Sequence, residues 1–270
     1  MTVAAPRSGL LRGPDGALEY LIEGEGGPVT VVGHGLTRTI PDTRPFVNDV
    51  SGTRAFLHFR GHGGSPDPGG DWTFDGLADE LRTLAERTAA TRAVAVSLSC
   101  RTLATLALAD PGRFERLVFV LPPAMFGDHS RAHRDLLFEH LREIGSGDPR
   151  QLVAGLTAAL PSWMNRQDPR SLLARGVAEP LLRRPQLAAS VITLAERDVD
   201  FQLDRLAGIE VPTLVVGQSD DRLHPRELAW DMAGILPRGT YYEIGECRSF
   251  AAYRRMIRTA IADFLGPGTP

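Results

Sequence analysis

Apolar and polar positions follow two rhythms along this chain. Short, nearly continuous apolar runs occur at Val29–Gly33, Arg54–Phe59, Ala93–Val96 and Leu117–Leu121. Such runs suit strands covered on both faces, as in a parallel sheet. Between them, Phe74–Thr88 places Leu77, Leu81 and Leu84 at helical spacing, and the Leu/Ala-rich stretch Cys100–Ala109 is stopped by Asp110-Pro111-Gly112. After Pro122-Pro123 the strand rhythm ceases. From Asp128 to about Asp204 only helical segments follow, such as Arg134–Ile144, Gln151–Leu160 and Pro185–Glu196, punctuated by Pro161, Pro169 and Pro180. Strand grammar returns at Val211–Gly217, followed by helix Arg226–Leu236, strand Thr240–Ile244 and a closing amphipathic helix, Phe250–Leu265.

This order predicts an α/β protein with a doubly wound, mostly parallel sheet. Residues 1–123 and 207–270 form its core, and residues 124–206 form an inserted helical cap over the C-terminal ends of the strands. In an open α/β sheet that edge is where ligands bind.

Composition narrows the function. With 43% apolar and 23% charged residues, the 270-residue chain can bury a real core. A net charge of −3 gives no electrostatic case for nucleic acid or an acidic membrane surface. All 30 basic residues are arginine, which excludes Schiff-base chemistry, a P-loop lysine and a Ser-Lys dyad. Two cysteines, Cys100 and Cys247, are too few for a disulfide framework or a zinc cluster. No apolar run approaches the roughly 20 residues of a membrane span, and Met1–Gly13 does not read as a secretory signal. The expectation is a soluble cytoplasmic protein acting on a small molecule, without nucleic-acid or membrane partner. Its oligomeric state stays open, a homodimer included. No metal-ligand spacing and no dinucleotide fingerprint appears, so no metal and no cofactor is expected.

The chemistry concentrates at Ala95-Val96-Ser97-Leu98-Ser99. A serine between small residues, after an apolar strand and before a helix, reads as a nucleophile elbow. The turn is so sharp that positions two before and two after the serine face crowding backbone and must be small. Ser97 meets this with Ala95 and Ser99; Ser99 would have Arg101 on the crowded side. A serine there also suits a simple helix N-cap.

Over nearly its whole length the chain resembles the capped α/β-hydrolase superfamily. Val31-Val32-Gly33-His34-Gly35-Leu36 is similar to the family's oxyanion loop, and Arg60-Gly61-His62-Gly63-Gly64-Ser65 to its Arg-Gly-x-Gly-x-Ser turn. The Ser97 elbow is followed by Pro111-Gly112-Arg113-Phe114 at the usual distance. Val211–Val216, leading to Asp220-Asp221-Arg222-Leu223-His224-Pro225, resembles its acid-bearing loop. The resemblance implies Ser97 as nucleophile, the backbone N–H groups of Leu36 and Leu98 as oxyanion donors, and a structural His34. It implies an acid at Asp220 or Asp221, and the Asp-x-x-His-Pro form favours Asp221.

One part is missing. The family's base histidine should follow the strand Thr240–Ile244, but the loop there reads Gly245-Glu246-Cys247-Arg248-Ser249. Arginine stays protonated and cannot act as a base. Arg248 could pair with Asp221 or bind a substrate carboxylate, and Glu246 could serve if its site were dry. His224 lies near the site, His62 at the same edge, and His129, His133 and His140 in the cap, but none holds the family's position for the role. His58 reads as core. Phe126, Trp163 and Met164 could line a pocket or simply pack the cap. Three functions therefore stay open: an enzyme acting on an ester, thioester, lactone or related carbonyl; a non-hydrolytic cyclase, lyase or isomerase in the same pocket; and a non-catalytic binding protein.

Overall fold

The computed structural model describes residues 5–67, 69, 72–126, 160–166 and 201–267, with the single positions 135, 139, 154, 190, 193 and 194. The sheet strands are β1 (Arg7–Arg12), β2 (Ala17–Glu23), β3 (Val29–Gly33), β4 (Thr53–Leu57), β5 (Arg92–Val96), β6 (Arg116–Val120), β7 (Thr213–Gln218) and β8 (Gly239–Ile244). They form one sheet in the order β1-β2-β4-β3-β5-β6-β7-β8. From β4 to β8 every pairing is parallel; β1 and β2 extend the sheet antiparallel. The doubly wound, mostly parallel sheet expected from the sequence is therefore present.

Alternation along the strands explains their apolar runs. Val31, Ala93, Ala95, Leu117, Phe119 and Val215 face one core, which they share with helices α2 (Phe74–Arg87), α3 (Leu98–Ala109) and α5 (Arg226–Ile235). Val32, Val94, Val96, Val118, Val120, Leu214 and Val216 face a second core, closed by helix α1 (Ile40–Thr43), the 44–50 segment and helix α6 (Phe250–Leu265). Each strand thus needs apolar residues on both faces. The helix ends are capped as their sequences suggest: Thr73 accepts the Gly76 N–H, and Ser249 accepts the Ala252 N–H.

Strands β1 and β2 were not expected. β1 is an edge strand that leaves most of its residues exposed, so it has no apolar run to read. The turn joining them, Gly13-Pro14-Asp15-Gly16, closes with a 2.7 Å bond from Gly13 N–H to the Gly16 carbonyl. The candidate cap helices Arg134–Ile144, Gln151–Leu160 and Pro185–Glu196 lie almost entirely outside the described residues. Within the expected insertion one short helix is described, α4 (Ser162–Arg166). Among the described residues no helix is long and apolar enough to cross a membrane.

Candidate active site

The sheet winds in opposite directions from β3, with β4 on one side and β5 on the other. A crevice opens at such a switch point, outside the C-terminal strand ends. Ser97 sits there, between the last residue of β5 and the first of α3. Its backbone has φ 53° and ψ −117°, a conformation that L-residues rarely adopt. Four hydrogen bonds hold the turn. The Ser97 N–H donates to the Val120 carbonyl at 2.9 Å, and its own carbonyl accepts from Cys100 N–H at 2.7 Å. Ser99, fully buried, accepts the Val96 N–H at 2.7 Å and donates to the Val96 carbonyl at 3.0 Å. Of the two serines, Ser97 occupies the strained turn and Ser99 braces it. Cys100 is no rival nucleophile, because burial pushes its thiol far above the ordinary range.

The Ser97 hydroxyl does face an imidazole. Ser97 Oγ lies 2.9 Å from His224 Nε2, and His224 Nδ1 lies 3.0 Å from Asp221 Oδ2. Asp221 Oδ1 accepts the backbone N–H groups of Leu223 and His224, both at 3.0 Å. The carboxylate thus shapes the turn that carries the imidazole and also holds its ring. With Nδ1–H donating to Asp221, Nε2 presents its lone pair to the serine O–H. The loop after β7 thus places an imidazole beside Ser97, three residues beyond Asp221, where Gly245–Ser249 offers none. Chain order gives His224 no such place, but a proton relay of this kind is defined in space rather than by order along the chain. Only the Asp-x-x-His spacing, one helical turn, hinted at it.

Asp220 and Asp221 separate clearly. Asp221 is buried and faces His224. Asp220, at φ 60°, turns away and accepts the Ser162 N–H at 2.9 Å, which ties the loop to α4. Arg248 was offered above as a partner for Asp221; instead it is exposed, and Asp221 spends its oxygens on its own turn and on His224. Glu246 is likewise exposed, Cys247 is buried, and Ser249 caps α6.

Across the crevice lies the 33–40 loop. A Cβ built on Gly33 would stand 2.7 Å from Ser99 Cβ, and one on Gly35 3.2 Å from Ser97 Cβ. Glycine is what lets the loop approach the elbow so closely. Leu36 follows directly. Among the described residues neither the Leu36 N–H nor the Leu98 N–H donates to any acceptor; Leu98 opens α3, where a helix has no partner for its first amides.

Three histidines stitch this loop in place. His34 Nδ1 donates to the Gly35 carbonyl at 2.7 Å, and its Nε2 accepts Phe59 N–H at 3.1 Å. His62 Nδ1 donates to the Arg60 carbonyl while its Nε2 accepts Thr37 N–H at 3.1 Å. His58 Nδ1 donates to Glu19 Oε2 at 2.6 Å while its Nε2 accepts Ile40 N–H at 2.9 Å. Burial, the largest cause, holds His34 well below the ordinary histidine range. Arg60, in the same turn, is buried against Glu80 (Nε to Oε1 2.5 Å) and reaches Asp15 at 2.8 Å.

Around the crevice, Trp163 and Met164 of α4 pack into the second core, with Trp163 against Phe250 and Tyr253. Phe126 packs on Phe201, whose ring also lies 3.7 Å from the buried Arg101 guanidinium. His129, His133 and His140 lie outside the described residues. Among the described residues no group of three or more His, Cys, Asp or Glu could hold a metal ion.

No protein-family model and no curated protein matches the sequence. Solved structures do match. An α/β hydrolase from a Medee basin deep-sea metagenome library superposes with a TM-score of 0.81 at 15% identity, over 97% of this chain and 98% of its own. The enol-lactonase of Burkholderia xenovorans gives 0.76 at 18%, over 95% and 99%. A thermophilic esterase from Thermogutta terrifontis gives 0.72 at 19%, over 96% and 98%. At such identities the likeness concerns architecture. The sheet order, the turn at Ser97 and these superpositions together show that the chain has the α/β-hydrolase fold.

Proposed function

We propose that the protein is a serine hydrolase of small carboxylic esters, lactones or thioesters, with Ser97 as nucleophile, His224 as base and Asp221 as the orienting acid. The observation that carries this reading is the relay from Ser97 Oγ to His224 Nε2 at 2.9 Å and from His224 Nδ1 to Asp221 at 3.0 Å. A serine hydroxyl is a poor nucleophile until a neighbouring base accepts its proton.

In the proposed reaction His224 takes the Ser97 proton as Oγ bonds to the substrate carbonyl carbon. The oxyanion formed accepts from the Leu36 and Leu98 N–H groups, which lie beside the serine without other acceptors. The imidazolium then gives its proton to the departing alcohol or thiol as that bond breaks, leaving an acyl-Ser97. Water, deprotonated by His224, releases the acid and restores the serine. Asp221 keeps Nδ1–H in place and stabilises the transient imidazolium. Names borne by structural neighbours, an esterase and an enol-lactonase, suit this reaction class.

The test is turnover of p-nitrophenyl butyrate. The wild-type protein is expected to hydrolyse it with a burst of p-nitrophenol, and Ser97→Ala to lose about 10³-fold or more in kcat. Turnover retained in Ser97→Ala would end the covalent reading.

A further inference from the structure

Arg38 stands on the same loop as the proposed oxyanion donor, on a backbone fixed from both sides. Its N–H donates to the Gly35 carbonyl at 3.1 Å, and the adjoining Thr37 and Ile40 amides are held by His62 and His58. The side chain starts close to the reacting serine: the point a Gly35 Cβ would occupy lies 3.2 Å from Ser97 Cβ and 3.5 Å from Arg38 Cγ.

Among the described residues the Arg38 guanidinium makes no hydrogen bond and no ion pair, although it is only partly exposed. Burial lowers its pKa below the ordinary arginine value. Asp42, the carboxylate that most opposes this, is committed to the Thr39 N–H and hydroxyl at 2.9 and 2.8 Å. Arg254 adds a second positive charge nearby. An unpaired, partly desolvated guanidinium is costly unless something anionic meets it.

A second group points to the same place. Tyr253 is 7% exposed, and among the described residues its hydroxyl has no hydrogen-bond partner. Its ring is clamped by Phe46 and Trp163. The phenol lies within electrostatic reach of both Asp221 and Arg38. A hydroxyl without a protein partner on an otherwise buried ring is free to donate to a ligand.

We infer that Arg38 and Tyr253 form a carboxylate-binding subsite, and that the substrate carries a carboxylate a few atoms from the carbonyl that Ser97 attacks. A guanidinium fork and one phenol hydroxyl match the two oxygens of a carboxylate. The inference rests on the ester-hydrolase reading for which bond is cut, but not for the binding itself.

Binding is measured by calorimetry on Ser97→Ala protein, with monomethyl glutarate as the anion and dimethyl glutarate as the neutral match. The anion is expected to bind at least about 10-fold more tightly, as for hydrogen bonds to charged groups. Arg38→Gln in the same background removes that preference, and Arg38→Lys keeps part of it. Turnover runs in parallel: the anion-to-neutral ratio of kcat/KM in the wild type falls about 10-fold in Arg38→Gln. Equal or undetectable binding of the two esters, or a preference that survives Arg38→Gln, overturns the subsite. If neither ester is turned over while the Arg38-dependent binding persists, the hydrolase reading fails and the subsite stands.

Discussion

Four histidines around the crevice share one arrangement. In His34, His58, His62 and His224 the Nδ1–H donates to a carbonyl or a carboxylate, which leaves Nε2 as a lone pair. In the first three that lone pair receives a backbone N–H of the 33–40 loop or of Phe59. In His224 it faces the Ser97 hydroxyl. The same tautomer thus braces the loop three times and meets the Ser97 hydroxyl once. This chemistry makes acid harmful. The unfolded chain binds a proton at His34 near pH 6.5, whereas the folded protein holds that ring neutral to a much lower pH. His34 therefore contributes stability that is fully present above about pH 6.5 and is lost progressively as pH falls below it. Thermal melts from pH 7.5 to 5 should show a falling Tm. His34→Asn should start lower at pH 7.5 and fall less steeply; a parallel slope would assign the acid lability elsewhere.

At the scale of elements, the site depends on how strand ends meet. β3, β5, β6 and β7 all finish at the same edge, and each is followed within a few residues by a non-glycine at positive φ: Thr37, Ser97, Leu121 and Asp220. Backbone strain of this kind persists only where surrounding contacts over-determine it. One such contact is β3 against the start of α3. Gly33 pairs with Ala95 in the sheet, and a Cβ on it would enter within 2.7 Å of Ser99 Cβ. Gly33→Ala should therefore push the loop off the elbow and destabilise the fold by about 1–3 kcal/mol, the range for overpacking, read as a lower urea midpoint at unchanged slope. A variant as stable as wild type would mean that β3 and α3 have more room than their contact implies.

Across the whole molecule, what could be read from the sequence divides along physical lines. The parallel strands were legible because both faces are buried, so Val94 and Val96 had to be as apolar as Ala93 and Ala95. β1 was not, because an exposed edge strand carries no such run, and β2 beside it is only half-buried, its apolar residues interrupted by Glu19 and Glu23. Ser97 was legible from the small residues the turn demands at 95 and 99. The imidazole beside it was not, because a histidine's place in the chain says little about where a folded loop carries it. Here Asp221 bends its own turn around the Leu223 and His224 amides, so acid and imidazole arrive as one unit from a single loop. The loop after β8 carries no histidine and starts α6 at Ser249. The central claim is that His224 activates Ser97, and the rate of covalent labelling by a fluorophosphonate tests it most directly. Wild-type protein should label rapidly at Ser97, and His224→Gln at least about 10³-fold more slowly, as expected when the base is removed from a cooperating triad. Labelling of His224→Gln at the wild-type rate would contradict the account.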